Sequence, residues 1–508
     1  MTTDRIRGGV AGLVGAGLAL GFGELWAGLF RGVPSPLASV GGVIVDRSPA
    51  WLEDVAIGLF GTADKAALAI GTLIVSLVIG WFVGVKAMER PWLAPVVFGM
   101  FGLAGFLAGI GEPFARPLLV AVAGAASAGL GVGAWYGLSQ WAVDPTDGLA
   151  GDTARRRFIG LAVAGGVGAV AAGVVGRRLL TDLPGVQTDA GLAEAGARIA
   201  APGPSNGFDI PGLSPIVTPN ADFYRIDTAL VVPRIDPGSW SLEVHGMVDR
   251  RLELTYDDLL GMETFDEYVT LACVSNQVGG ELVGNAAWTG IRLADVLERA
   301  GVKDGAGQLV GRSVDDFTVG FPPELAFDGR EAMIALAMNG EALPLQHGFP
   351  ARLVVPGLYG YVSATKWLTE IELTTWEGFD AYWIPRGWSK EGPIKTQSRI
   401  DVPHSGDSFP VGEPVRIAGV AWAPYRGIEK VEVSVGNDDE WMEAEIADPL
   451  DSRAWVQWVA TVTLVEGYQN VRVRATDGTG TTQSSTPTSP RPNGAQGFHV
   501  IRIEGTAT

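Results

Sequence analysis

The chain has 508 residues, 47% of them hydrophobic, with 37 Lys and Arg against 56 Asp and Glu for a net charge of −19. Its mean hydropathy of +0.23 is high for a soluble protein. The acidity leaves no electrostatic footprint for nucleic acid, and the single cysteine excludes an intrachain disulfide and any zinc or iron–sulfur centre built from several thiolates.

The charge is divided unevenly. Residues 1–183 carry a net +1 and residues 184–508 a net −20, so an apolar front is joined to an acidic back. In the front, five stretches are nearly all apolar: 8–30, 66–85, 92–111, 117–142 and 158–176. Each can cross ~30 Å of hydrocarbon as a helix. Small-xxx-small pairs at Gly8/Gly12, Gly17/Gly21, Gly105/Gly109 and Gly129/Gly133 are expected to bring helices close in lipid. Glu24 lies near the outer end of the first run, where a solvated interfacial carboxylate is expected rather than an intramembrane functional acid. Trp51–Phe60, after Pro34, Pro36 and Pro49, reads as a short interfacial helix. None of the five runs holds a histidine, so no bis-His haem is expected in the bundle.

Orientation follows from the flanks. With Arg5 and Arg7, Lys86 and Arg90, and Arg155, Arg156 and Arg157 on the cytoplasmic side, five spans alternate and residues 184–508 emerge outside. Arg155-Arg-Arg-Phe158-Ile159 also has the Arg-Arg-x-Phe-hydrophobic pattern of a twin-arginine export signal, placed internally. An ordinary positive-inside anchor is the other reading of this stretch.

The back divides into two patterns. Residues 181–215 form a Gly- and Pro-rich linker. Residues 216–393 mix short elements: a strand at Trp240–Gly246, a capped turn from Leu254 to Gly261, a helix from Trp288 to its stop at Gly301, and a strand at Ala351–Val355 before Pro356-Gly357. This predicts an α+β domain. From Ile394, segments at Val415–Trp422, Lys430–Val435, Trp455–Leu464, Val471–Thr476 and His499–Ile503 alternate with period two, with turns at Gly436–Asp439 and Asp477-Gly478. That predicts an Ig-like β-sandwich over 394–508.

The candidate chemistry gathers around Tyr268-Val-Thr-Leu-Ala-Cys273-Val-Ser-Asn276-Gln-Val-Gly-Gly280, a strand that delivers one thiol to a loop. Cys273 can be a small buried hydrophobe, a nucleophile, or one ligand of a metal whose other ligands come from a cofactor. His347-Gly-Phe-Pro-Ala-Arg352, Ser363-Ala-Thr365-Lys366 and Phe223-Tyr224-Arg225 add rings, hydroxyls and cations. Arg and Lys converging from separate segments suit a phosphate.

Together with Thr218-Pro-Asn-Ala-Asp222, Gly284-Asn-Ala-Ala-Trp288, Ala337-Met-Asn-Gly-Glu-Ala-Leu-Pro344, Val355-Pro-Gly357 and Lys366-Trp-Leu368, these stretches give residues 205–505 a pattern that resembles the sulfite oxidase family of molybdopterin-dependent oxidoreductases. The resemblance implies a molybdenum–molybdopterin cofactor, one per chain, with the Cys273 thiolate as metal ligand. It implies that Phe223, Tyr224, Arg225, Asp315, His347, Arg352, Ser363, Thr365 and Lys366 hold the pterin and its phosphate. It implies oxygen-atom transfer on a small molecule, a separate electron-transfer partner, no haem in this chain, and a C-terminal domain that pairs subunits in some members. Sulfite-oxidising members carry an arginine shortly after the cysteine, whereas Val274-Ser-Asn-Gln277 follows here, which points away from an anionic substrate. Tyr382 and Arg386, with Trp383 and Trp388, either line the entrance or pack between the two back domains.

The resulting expectation is a four-span bundle over 1–145, a fifth span over 146–180, a molybdopterin-binding α+β domain over 216–393 and the sandwich beyond it. Two other readings of the back remain: a thiol hydrolase with Cys273 as nucleophile and His347 as base, and an extracytoplasmic binding module without a cofactor on a membrane anchor.

Overall fold

The computed structural model describes residues 3–30, 32–48, 64–112, 115–140, 148–181, 201–436 and 440–507, with Val55, Leu59 and Ile199. The expected interfacial helix at 51–60, apart from Val55 and Leu59, and the turn at 437–439 lie outside the described residues. The chain divides into two compact units, Met1–Pro184 with Asp227–Arg234, and Gly185–Ile226 with Ile235–Thr508.

The first unit is helical: α1 (Thr3–Leu29), α2 (Pro36–Arg47), α3 (Asp64–Ala87), α4 (Leu93–Ile110), α5 (Pro117–Ser139) and α6 (Gly148–Thr181). Five of these, all but α2, are long and apolar enough to cross a membrane. Helix α1 packs against α3 backbone to backbone: a Cβ at Gly12 would stand 2.0 Å from Gly80 O, and one at Gly84 2.1 Å from Gly8 O. The Gly8/Gly12 spacing therefore sits in a helix contact, as its small-residue pattern requires. Gly129 and Gly133 have no neighbour where a Cβ would stand, and the close approaches on α5 fall at Gly124 and Gly131 instead. Small residues recur so often on α5 that spacing alone does not select the packed face.

Glu24 corrects another expectation. It is 3% exposed rather than solvated. Ser35 Oγ donates to its carboxylate at 2.6 Å, the Leu37 N–H at 3.3 Å, and Arg177 pairs with it at 3.4 Å. The carboxylate thus meets the first turn of α2, where unpaired backbone N–H groups favour an anion. Segment 227–234 belongs to this unit, with Lys65 Nζ donating to Ala229 O at 2.7 Å and Arg234 donating to Leu179 O.

The second unit begins with ten strands: β1 (Ser241–Gly246), β2 (Leu252–Thr255), β3 (Thr264–Ala272), β4 (Val283–Arg292), β5 (Gln308–Ser313), β6 (Thr318–Phe321), β7 (Met333–Met338), β8 (Glu341–Ala342), β9 (Arg352–Val354) and β10 (Leu368–Thr374). Helices α7 (Tyr256–Leu260), α8 (Leu293–Ala300) and α9 (Gly360–Ser363) lie among them. One sheet has the order β2-β1-β10-β5-β6, with β1 and β10 parallel. The other runs β3-β4-β7-β8, with β9 on β7. The helix expected from Trp288 to Gly301 begins only at Leu293. Trp288–Arg292 instead complete β4, paired with β7. The Trp288 side chain is fully buried, with Nε1 donating to Val269 O at 3.2 Å. Leu293, Val296, Leu297 and Ala300 then make a buried helical stripe, ended by Gly301 in the left-handed region.

Nine more strands follow: β11 (Gln397–Val402), β12 (Ser408–Pro410), β13 (Pro414–Trp422), β14 (Ile428–Val435), β15 (Met442–Glu443), β16 (Glu445–Ile446), β17 (Val456–Thr463), β18 (Gly467–Asp477) and β19 (His499–Thr506). They form two sheets, β11-β13-β17-β16 and β12-β19-β18-β14-β15. Their alternate residues, including Ile417, Val431, Val433, Trp458, Val471, Val473 and Ile503, enclose a common core.

Candidate functional site

Strand β3 is half-buried in its first residues and fully buried from Tyr268 to Ala272. The sandwich is responsible in part. The Thr270 N–H donates to Arg453 O at 3.0 Å, and Thr270 Oγ1 accepts the Trp455 N–H at 2.7 Å. Cys273 follows this anchored end and is itself buried. Its N–H donates to Leu282 O at 2.9 Å, and Asn276 Oδ1 accepts the Leu282 N–H at 2.9 Å, so the intervening loop is closed across its base. Burial pushes the thiol above its ordinary pKa, and hydrogen bonds from the Ser275 backbone and side chain work in the opposite direction.

The segment that brings Phe223, Tyr224 and Arg225 is tied down by Asn339, whose Nδ2 donates to Thr218 O at 2.9 Å and Asn220 Oδ1 at 2.8 Å. The Phe223 ring packs edge-on to Trp288 and to His347, with centroids 5.8 and 5.7 Å apart, and stacks on Tyr224 at 5.3 Å. Tyr224 Oη lies beside α9: a Cβ at Gly360 would be 3.9 Å from it and 3.9 Å from Ala272 O. Burial, then the nearby Cys273, raises the Tyr224 pKa, so the phenol stays neutral.

His347 Nε2 lies 2.7 Å from Asn220 O, which assigns the ring proton to Nε2 and leaves Nδ1 as an acceptor. Burial lowers its pKa to about 4, with Arg352 and Arg225 adding to that effect against the Asn220 hydrogen bond. Arg352 opens β9 and is 5% exposed. Its Nη1 donates to His347 O at 3.0 Å, and its guanidinium lies 4.9 Å from the Trp288 ring centroid. Its Nε is buried with no hydrogen-bond partner among the described residues. Burial lowers its pKa to about 10, opposed by Tyr224.

Lys366 is brought to the same place. A Cβ at Gly348 (φ +114°) would stand 2.9 Å from Lys366 Cβ and 3.1 Å from Arg352 Cβ, so the two cationic stems flank one glycine. Lys366 Nζ donates to Gln346 O at 3.2 Å. The Ser363 and Thr365 hydroxyls are both buried and donate to Tyr359 O at 3.0 Å and Gly311 O at 3.4 Å. Asp315 lies in the β5–β6 turn, where the neighbouring Val314 N–H donates to Trp367 O at 3.0 Å.

Tyr382 and Arg386 form a separate group. The Arg386 guanidinium stacks 3.8 Å from the Tyr382 ring, and its Nη1 donates to Tyr382 O at 2.8 Å. Tyr382, Trp383, Trp388 and Tyr361 follow one another in edge-on or tilted contacts. Arg491, from the C-terminal segment, donates to Arg386 O. This group meets both back domains, and it reaches α9 through Tyr361.

Sequence reasoning missed Asn220, Ser275 and Tyr359. The Tyr359 pKa is pushed up to about 12, by burial first and then by Cys273. Tyr359 lies two residues after the Pro356-Gly357 turn noted above, and Ser275 lies in the cysteine stretch, so both were within reach.

The donor set suits an anionic cofactor that brings its own metal ligands. Among the described residues no group of three or more His, Cys, Asp and Glu is placed to hold a metal ion, so Cys273 offers one sulfur. The orphaned Nε of a buried guanidinium is an unfilled donor of the kind an anionic group satisfies.

Residues 229–383 match the oxidoreductase molybdopterin binding domain, and residues 392–490 match the Mo-co oxidoreductase dimerisation domain. An uncharacterized oxidoreductase of Bacillus subtilis, YuiH, is 34% identical over 157 residues, covering 31% of this chain and 76% of that protein. The chain belongs to the sulfite oxidase family of molybdopterin oxidoreductases. Mitochondrial sulfite oxidase of Mus musculus is 31% identical over 288 residues, 48% of this chain and 52% of the relative. The chain thus spans about half the length of the mitochondrial sulfite oxidases it matches. The sulfane dehydrogenase SoxCD of Paracoccus pantotrophus aligns with a TM-score of 0.48 and 23% identity over 57% of this chain and 81% of that one. Within this family's molybdopterin-binding match fall Cys273, Asp315, His347, Arg352, Ser363, Thr365, Lys366 and Tyr382. Phe223, Tyr224 and Arg225 precede it and Arg386 follows it.

Proposed function

We propose that this protein is a membrane-anchored molybdenum-cofactor oxidoreductase acting on a small substrate outside the cytoplasmic membrane. The observation that carries it is Arg352, a buried cation with an orphaned Nε, in one cluster with the buried Cys273 thiol, His347 and Lys366. When bound, the cofactor supplies a dithiolene-held molybdenum centre able to transfer an oxygen atom. Cys273 offers its thiolate to that metal. Ser275 hydrogen bonds favour the deprotonated sulfur against the cost of burial. Arg352 and Lys366 take the cofactor phosphate, and neutral His347 offers Nδ1 as a hydrogen-bond acceptor. Phe223 and Tyr224 give the pterin an apolar wall, with Arg225, Asp315, Ser363 and Thr365 as further contacts. Tyr382 and Arg386 stand at the substrate entrance, and Val274–Gln277, with no arginine after the cysteine, suits a substrate other than sulfite.

The helical unit anchors the chain, with the N-terminus inside, residues 184–508 outside, and Arg155-Arg156 read by the twin-arginine machinery. A cofactor loaded in the cytoplasm needs a route for folded domains. The C-terminal sandwich pairs two copies of the chain, and electrons pass to a separate partner. The thiol hydrolase reading fares worse, because it gives the buried, unpartnered Arg352 Nε nothing to bind.

Cys273→Ser should abolish redox turnover with an artificial electron carrier while the fold persists; full turnover in that variant removes Cys273 from the centre. Replacing Arg155 and Arg156 by Lys keeps the charge but removes the guanidinium pair. Protease should then no longer reach the back in intact spheroplasts. Unchanged accessibility would leave an ordinary charge-read anchor.

A further inference from the structure

The loop that carries Cys273 is gripped by the β-sandwich at three successive residues. A Cβ at Gly497 would be 3.7 Å from Val278 Cγ2. Gly279 has φ +76°, and a Cβ there would fall 2.3 Å from His499 Cδ2, so the imidazole occupies the space a side chain would need. Arg399 Nη1 donates to Gly280 O at 2.8 Å.

Both sandwich residues are themselves fixed. Arg399 Nε donates to Asp401 Oδ1 at 2.6 Å and Nη2 to Ser214 Oγ at 2.8 Å, while Asp401 Oδ2 accepts the Ser214 N–H at 3.0 Å. Every nitrogen of this guanidinium is used, and the pair is nearly dry, with side chains 10% and 7% exposed. His499 Nδ1 accepts the Ile400 N–H at 3.0 Å, where a bulge between Ile400 and Val402 interrupts the β11–β13 ladder. The strand before Cys273 is held from the same domain, by Arg453 O and the Trp455 N–H on Thr270 and by Arg453 on Glu267 at 3.3 Å.

We propose that the sandwich is part of the Cys273 centre: Arg399 and His499 are positioning residues that hold Val278–Gly280 and so fix the direction of the thiolate. The residues behind a metal ligand commonly set affinity and orientation by such contacts. This rests on the proposed function only in naming molybdenum as what the thiolate meets.

The test reads the thiol in the full-length chain in detergent, prepared in cells that cannot make the cofactor. Cys273 is the only cysteine, so the mass of the iodoacetamide-treated chain reports it alone. Arg399→Gln should raise the alkylation rate roughly tenfold by favouring local opening of the loop. Arg426→Gln, which breaks the Arg426–Asp477 pair (2.8 Å) elsewhere in the sandwich, should leave the rate unchanged. In the cofactor-loaded chain, Arg399→Gln should shift the Mo(V) electron paramagnetic resonance signal and Arg426→Gln should not. An unchanged rate in Arg399→Gln, or equal acceleration in both variants, overturns the proposal. If Arg399→Gln fails to fold, Arg399→Lys decides by the same comparison, since it keeps a charge against Asp401 but loses the fork to Gly280 and Ser214. A wild type without molybdenum would defeat the proposed function but leave the alkylation result readable, so the two fail separately.

Discussion

Arg399 and Arg352 are almost equally buried, at 8% and 5% exposure, yet their surroundings are opposites. Arg399 has a carboxylate on Nε, a hydroxyl on one terminal nitrogen and a carbonyl on the other. Arg352 has one carbonyl, an aromatic face and a bare Nε. Burying a charge is costly unless it is paired. The first arginine is therefore complete within the protein, and the second leaves its Nε open. The same contrast separates the two domains around Cys273, a satisfied arginine in the sandwich and, in the α+β domain, an arginine whose Nε has no partner.

The largest effect is expected at Arg399. Arg399→Met leaves Asp401 buried without its cation and should destabilise the chain by about 3–5 kcal/mol in denaturant titration. Next is His347. Its folded pKa of about 4 lies below the ordinary 6.5 because burial disfavours the imidazolium. The unfolded chain therefore binds the extra proton between these values, and stability falls as pH drops from 6.5 toward 4, by about 3 kcal/mol at most. In His347→Gln that part of the decline should vanish; an identical pH profile in both chains would deny the neutral imidazole. Smaller still is the effect at Arg352. Arg352→Met removes a buried cation with an open Nε and should stabilise the cofactor-free chain by about 1–3 kcal/mol, opposite in sign to Arg399→Met. Destabilisation of both alike would erase the distinction between the two arginines.

Much of this was readable in the residues because the signals are local. Apolar runs of span length mark the helices, and period-two alternation marks the long strands of the sandwich. The cofactor stretches carry enough residue types in order to suggest one cluster. What escaped depends on distant pairing. Trp288-Thr-Gly-Ile-Arg292 continues into a helical stripe, and only its pairing with Met333–Met338 makes it strand. Glu24 looked solvated because Ser35 and Arg177, which bury and satisfy it, are 11 and 153 residues away. The grip on the cysteine loop was invisible for the same reason, since Arg399 reaches Gly280 across 119 residues. The two-residue β15 and β16 are too short to show a period.

Whether the proposed site around Cys273 and Arg352 holds a molybdenum cofactor is decided by molybdenum and pterin content per full-length chain, in the wild type and in Arg352→Ala. About one of each is expected in the wild type. Clear loss is expected in the variant, because a charged hydrogen bond to an anion contributes about 1.5–3 kcal/mol. A wild type without molybdenum, or a variant that retains the cofactor as well as the wild type does, would contradict the proposed site.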